Sequence, residues 1–147
     1  MDPRFQFRFD TILSYKEKRE EESKQIMGEA VAQMESEKQK LESLTHQHTT
    51  AIHKWNKDLG LQQRIHEIQL KSNQIQWLQD MIEIQKISLQ KAEEYVEKCR
   101  LQLVEAKKET RKFEKIKEKD YKNYQAEEKK LEASYIDQFI SHRSATK

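Results

Sequence analysis

Only two glycines and one proline interrupt 147 residues, and that scarcity limits the fold more than any other feature. A compact globule of this length needs many turns, and turns draw on Gly, Pro, Asn and Asp. With so few breakers the chain must run in long uninterrupted elements. Glu, Lys, Gln and Leu supply most of it, and all are good helix formers. Charged residues make up 37% of the chain, hydrophobic residues 35%, and the mean hydropathy is −1.10. A seam between two helices buries far less apolar surface per residue than a layered core, and this composition suits such a seam.

Two segments carry heptad repeats. In the first, one seam position reads Leu13, Glu20, Met27, Met34, Leu41, His48, Trp55, and its companion reads Phe9, Lys16, Ser23, Ala30, Glu37, Leu44, Ala51. The stretch from Lys16 to Ser23 is too polar for a good seam, and the pattern recovers from Ile26. The second segment is cleaner. Ile75, Ile82, Leu89, Val96 and Leu103 recur every seven residues, accompanied by Leu78, Gln85, Ala92, Cys99, Ala106 and Phe113. A sustained seven-residue spacing implies a left-handed supercoil. Small side chains at Ala92, Cys99 and Ala106 allow the facing helix to approach closely.

Between the segments, Asn56, Asp58 and Gly60 cluster, and Gly60 can take the left-handed conformation that ends a helix. A short connection between two long helices makes an antiparallel hairpin. The expected architecture is therefore all-α, a two-helix antiparallel coiled-coil hairpin in a single domain over 1–147. Helix 1 is expected at about 5–57, the bend at about 57–64, helix 2 at about 65–141 and a frayed tail at 142–147. Ser72-Asn73 offers an alternative start for helix 2, leaving 61–71 as a shoulder. A bend near residue 60 makes facing residue numbers sum to roughly 121, so Leu41 lies near Leu78 and Ile82, Met27 near Ala92 and Val96, Leu13 near Ala106, and Phe7 and Phe9 beside Phe113 and Ile116. Helix 1 then ends opposite about Ile116. Some 25 residues of helix 2 overhang, roughly 35–40 Å at 1.5 Å per residue. Tyr121, Tyr124, Leu131, Tyr135, Ile136, Phe139 and Ile140 have no intramolecular partner in that arrangement.

Several function classes are excluded. Neither glycine precedes Lys-Ser or Lys-Thr at phosphate-loop spacing, and no glycine-rich dinucleotide loop is possible. The nearest histidines, His46 and His48, point apart on a helix, so a metal site is not expected. Seam and surface positions near the bend account for His46, His48, His53 and His66. Cys99 is the sole cysteine and sits on the seam as an inert packed thiol. Two packed helices offer no water-excluding pocket for acid/base chemistry, so neither an enzyme nor a cofactor is expected. Basic and acidic residues nearly cancel at 28 to 26 and alternate along the chain, which argues against a nucleic-acid arm. No apolar run reaches the ~18 residues of a membrane span. The chain reads as soluble and cytosolic.

Two surfaces stand out as candidate contacts. Lys107 to Lys119 holds seven basic residues against three acidic ones, with Phe113 and Ile116 among them. On composition alone this is either a solvated face or a docking end steered onto an acidic protein surface. Near the bend, Trp77, Met81 and Ile84 form a second candidate surface, because a two-stranded coil cannot bury every face.

The motif Phe5-x-Phe7-Arg8-Phe9-x-x-Ile12-Leu13 resembles the F-R-L-x-x-L-L opening of the flagellar FliJ family, the small coiled-coil component of the flagellar type III export apparatus. The run LVEAKKETRKFEKIKEK, from Leu103 to Lys119, resembles that family's L-x-E-A-x-x-E-x-K-x-x-E-K-L-K-E-K signature. Tyr121-x-x-Tyr124-x-x-Glu127-Glu128 and Ile136-Asp137 continue it. The departures are Thr110-Arg111, where a family Lys is common, and Asp137-Gln138, where Asp-Glu is usual. The resemblance covers essentially the whole chain. It implies a coiled coil similar to the central stalk of rotary ATPases. Such a protein docks the hexameric flagellar export ATPase, touches the cytosolic domain of the export-gate membrane protein and escorts or recycles export chaperones. It is then monomeric when free, without nucleic acid or membrane insertion, and peripheral to the inner face of the cell membrane at the flagellar base. Carried onto this sequence, the ATPase-docking residues are Arg111, Lys112, Phe113, Lys115, Ile116 and Lys119 with Phe5 and Phe7. Leu44, Trp77, Leu78 and Met81 are candidates for the gate. The rival reading is a structural scaffold that self-associates through the C-terminal overhang.

Overall fold

The computed structural model describes residues 1–60 and 62–146. Two helices account for most of them: α1, Asp10–Asp58, and α2, Ile65–Ala145. They are antiparallel across a short bend and α2 is the longer, as expected. Gly60 lies in the bend with φ +98°, a conformation that side-chain-bearing residues rarely adopt. α2 runs through Ser72-Asn73 without a break. Its first turns present Ile65, Ile68 and Leu70 to solvent, and the seam begins only at Lys71.

Both heptad patterns are realised. On α1 the more covered positions step in threes and fours from Leu13 through Lys16, Glu20, Ser23 and Met27 to Asp58. On α2 they step likewise from Lys71 to Tyr124. Leu13, Met27, Met34, Leu41, Ile75, Ile82, Leu89, Val96, Cys99, Leu103 and Ala106 are all buried or half-buried. The polar stretch of α1 keeps the register instead of leaving it. Lys16 and Ser23 stay half-buried, and Lys16 Nζ lies 3.5 Å from the Glu109 carboxylate.

The contacts fall into two compact units, Ser23–Leu103 and Met1–Glu22 with Val104–Lys147. In the first, Ala30, Leu78 and Cys99 form the core at 2–3% exposure. Of the small seam residues of α2, Cys99 is buried while Ala92 and Ala106 are half-buried. Across the seam the Gln85 amide donates to the Glu37 carboxylate and, at 3.0 Å, to the Glu37 backbone carbonyl. Their numbers sum to 122, one helical turn from Leu41 and Ile82. At the bend Lys71 Nζ donates to Asp58 at 2.7 Å, joining the last residue of α1 to the second turn of α2.

In the second unit the core is Phe7, Leu13 and Thr110. Met1–Phe9 is not helical, and this alters the expected overhang. An irregular chain advances up to ~3.3 Å per residue against 1.5 Å in a helix, so nine residues reach farther along α2 than a helix would. Phe5 therefore packs against Tyr121 and Tyr124, ring centroids 5.2 and 5.4 Å away, instead of ending opposite Ile116. Tyr121 and Tyr124 thus have intramolecular partners. The uncovered part of α2 shrinks to residues 129–145, all exposed, and its helix continues past Ser141 to Ala145.

Candidate docking surfaces

The N-terminal strap is tied down residue by residue. Asp2 receives hydrogen bonds from the Arg4 backbone and guanidinium, and the Tyr124 hydroxyl donates to its Oδ2 at 3.2 Å. The Asp2 backbone N–H donates to the Tyr121 hydroxyl at 3.2 Å. Arg4 beside it holds the Asp2 carboxyl below the ordinary range, with the Tyr124 hydroxyl assisting. Desolvation, followed by the Asp2 charge, pushes the Tyr124 phenol up. Phe9 meets Phe113 edge-on at 6.2 Å, and the Arg8 guanidinium lies 4.7 Å over the Phe9 ring while bonding Asp120 at 3.1 Å. Lys117 approaches Asp10 at 3.9 Å.

This packing sorts the basic segment by direction. Phe113, Ile116 and Lys117 turn toward the strap and α1, where they are half-buried. Lys107, Lys108, Arg111, Lys112, Lys115 and Lys119 are exposed, and none has an ion-pair partner among the described residues. Only Glu114 and Glu118 are exposed acids in that segment, since Glu109 is half-buried beside Lys16. The outward face thus carries six cations against two anions. Phe7 is 8% exposed and Phe5 is held between two tyrosines, so both are engaged in packing.

Thr110 is a core residue that hydropathy reading passes over. Its hydroxyl lies 3.1 Å from the Ala106 carbonyl and 3.2 Å from the Lys16 carbonyl, satisfying a buried polar group on the seam. The heptad itself held the signal, because Thr110 follows Leu103 by seven.

Near the bend, Trp77 and Ile84 are each 56% exposed, Met81 and Leu44 are half-buried, and Leu78 is 3% exposed beneath them. Trp77, Met81 and Ile84 recur at spacings of four and three, making a second apolar stripe on α2 beside the seam. His46, His53 and His66 are exposed, while His48 is half-buried with Nε2 shielded from solvent and lacking a hydrogen-bond partner. Among the described residues no three His, Cys, Asp or Glu side chains converge as metal ligands. The neighbouring Cys99 thiol pushes the Tyr95 phenol up.

Comparison with known proteins decides the family, since the flagellar FliJ protein family matches residues 5–147. The chain belongs to the flagellar FliJ family. As a FliJ-family member it is a component of flagellar type III protein export, in a family of non-catalytic structural parts. A solved structure shares the fold: CT670 of Chlamydia trachomatis, a proposed YscO homologue, at TM-score 0.67 and 19% identity, with 92% of each chain covered. No curated protein matches by sequence. Among the described residues no helix of this FliJ-family chain is long and apolar enough to cross a membrane.

Proposed function

We propose that this chain is a stalk-like adaptor of the export apparatus that docks the hexameric flagellar export ATPase through the outward face of 107–119. The observation carrying this reading is the sorting of that segment: six exposed cations face outward, while Phe113 and Ile116 lean on the strap and α1. Unpaired cations on a helix held rigid by packing suit an acidic protein surface, because the charges steer encounter and no side-chain network must first be broken. Arg111, Lys112, Lys115 and Lys119 make the contact. Phe5, Phe7, Phe113 and Ile116 hold the face in position, with the half-buried pair reaching the rim. The surface of Trp77 and Met81, buttressed by Leu44 and Leu78, takes the cytosolic domain of the export-gate protein. Export chaperones are bound and recycled by the assembled adaptor. The protein works peripherally at the inner face of the cell membrane at the flagellar base, without inserting into it.

The deciding experiment is binding of the full chain to the purified ATPase ring with Lys112→Glu and Lys115→Glu. Weaker affinity, in a manner that added salt also reproduces for the native chain, supports the docking face. Unchanged affinity removes it.

A further inference from the structure

Residues 129–145 of α2 are exposed throughout, yet they do not have the character of a solvated helix. Tyr135 and Phe139 are 70% and 66% exposed, with Leu131, Ile136 and Ile140 beside them. At about 100° per residue, Glu132, Tyr135, Ile136, Phe139 and Arg143 fall within roughly a 100° sector, and Ile140 borders it. The stripe continues the seam that runs up α2 to Tyr124, so it is the extension of an interface already used. Within this chain the strap stops short of it, reaching Tyr124 through Asp2 and Glu128 through the charge of Arg4.

We propose that a second copy of this chain covers this face, in antiparallel orientation, with Ile136 of each copy against Phe139 of the other. The charge order on the face selects both occupant and direction. An acid, Glu132, stands on one side of the aromatic and aliphatic centre and a base, Arg143, on the other, and neither has an ion-pair partner among the described residues. The pairs Ile136–Phe139 and Glu132–Arg143 share one two-fold axis, since both sum to 275. Antiparallel pairing therefore sets each Glu132 against an Arg143, an isologous arrangement that closes at two copies. Parallel pairing sets Glu132 against Glu132 and Arg143 against Arg143, which is repulsive at both ends. A face this short buries less than the ~1,200 Å² of a stable complex, so the association is transient and in the micromolar range or weaker. It differs from the free monomer that the family resemblance implies. It does not depend on the ATPase-docking reading, which uses different residues.

Sedimentation velocity of the full-length chain across the micromolar to millimolar range tests it. A reversible monomer–dimer equilibrium is expected. Glu132→Lys alone and Arg143→Glu alone should each weaken it about tenfold or more, because each sets like charges together. The double variant E132K/R143E should restore the native dissociation constant, and K112E/K115E should leave it unchanged. Helicity by circular dichroism stays constant in all of them, as every altered side chain is exposed. A monomer at every concentration overturns the proposal, as does a double variant no tighter than the singles. Should the chain stay monomeric while E132K or R143E weakens ATPase-ring binding, a partner protein covers the face and the dimer is likewise excluded.

Discussion

Gln85 reaches across the seam to Glu37, its amide donating to both the Glu37 carboxylate and the Glu37 carbonyl. A polar pair between apolar layers defines register, because a slip by one heptad would leave a desolvated carboxylate facing a hydrocarbon side chain. The Gln85 bond, with lesser help from Lys40, holds the Glu37 carboxyl below its ordinary range.

A carboxyl depressed in the folded state stabilises it above the unfolded pKa, and the contribution disappears as pH falls through the folded one. Thermal unfolding of the native chain should therefore lose several degrees on acidification below the ordinary carboxylate range. Glu37→Gln keeps a hydrogen-bonding partner for Gln85 and abolishes that residue's share. The native advantage over E37Q should shrink as pH drops. A gap that stays constant with pH would show that the bond contributes nothing linked to protonation.

Cys99, at 2% exposure, and Ala30, at 3%, are small side chains buried between the helices. Cys99→Leu should cost about 1–3 kcal/mol in urea unfolding, since added methylenes force the backbones apart. The native thiol should react with a disulfide reagent only as fast as the protein opens. Rapid modification under native conditions would contradict this packing.

Thr110 offers a contrast between shape and charge. Its hydroxyl satisfies itself on the Ala106 and Lys16 carbonyls, so Thr110→Val, nearly isosteric, should change stability by less than about 1 kcal/mol. Thr110→Asp places an uncompensated charge at a 3% exposed site and should cost about 3–5 kcal/mol. Urea midpoints for the two variants check the order.

The strap depends on Phe5 between Tyr121 and Tyr124. Phe5→Ala should remove about 1–2 kcal/mol, as expected for a half-buried aromatic ring. Faster amide exchange is expected at 118–125. Because Arg4 lowers the Asp2 carboxyl, strap anchoring is complete above the ordinary carboxylate range and fades below it. Exchange at those amides should rise at acid pH in the native chain and change less in Asp2→Asn.

Much of this molecule was legible in residue order because a heptad is a local signal. Seven-residue spacing placed Leu13, Leu41, Ile82, Leu89 and Val96 on the seam, and Asn56, Asp58 and Gly60 located the bend. The family followed from motifs spread over the whole chain, and residues 5–147 match it. At Lys16, Glu20 and Ser23 the expected break in the seam does not occur, since all three stay half-buried in register. Other features depended on distant partners. That Met1–Phe9 is irregular rather than helical, and so covers Tyr121 and Tyr124, depends on contacts between residues more than a hundred positions apart. The same contacts decide that Phe5 and Phe7 are packed, and that 129–145 is what stays bare. Spacing along one helix reports which side chains share a face. Whether that face meets water, a strap or another chain is set by how far the opposing segment reaches, and that reach depends on its conformation.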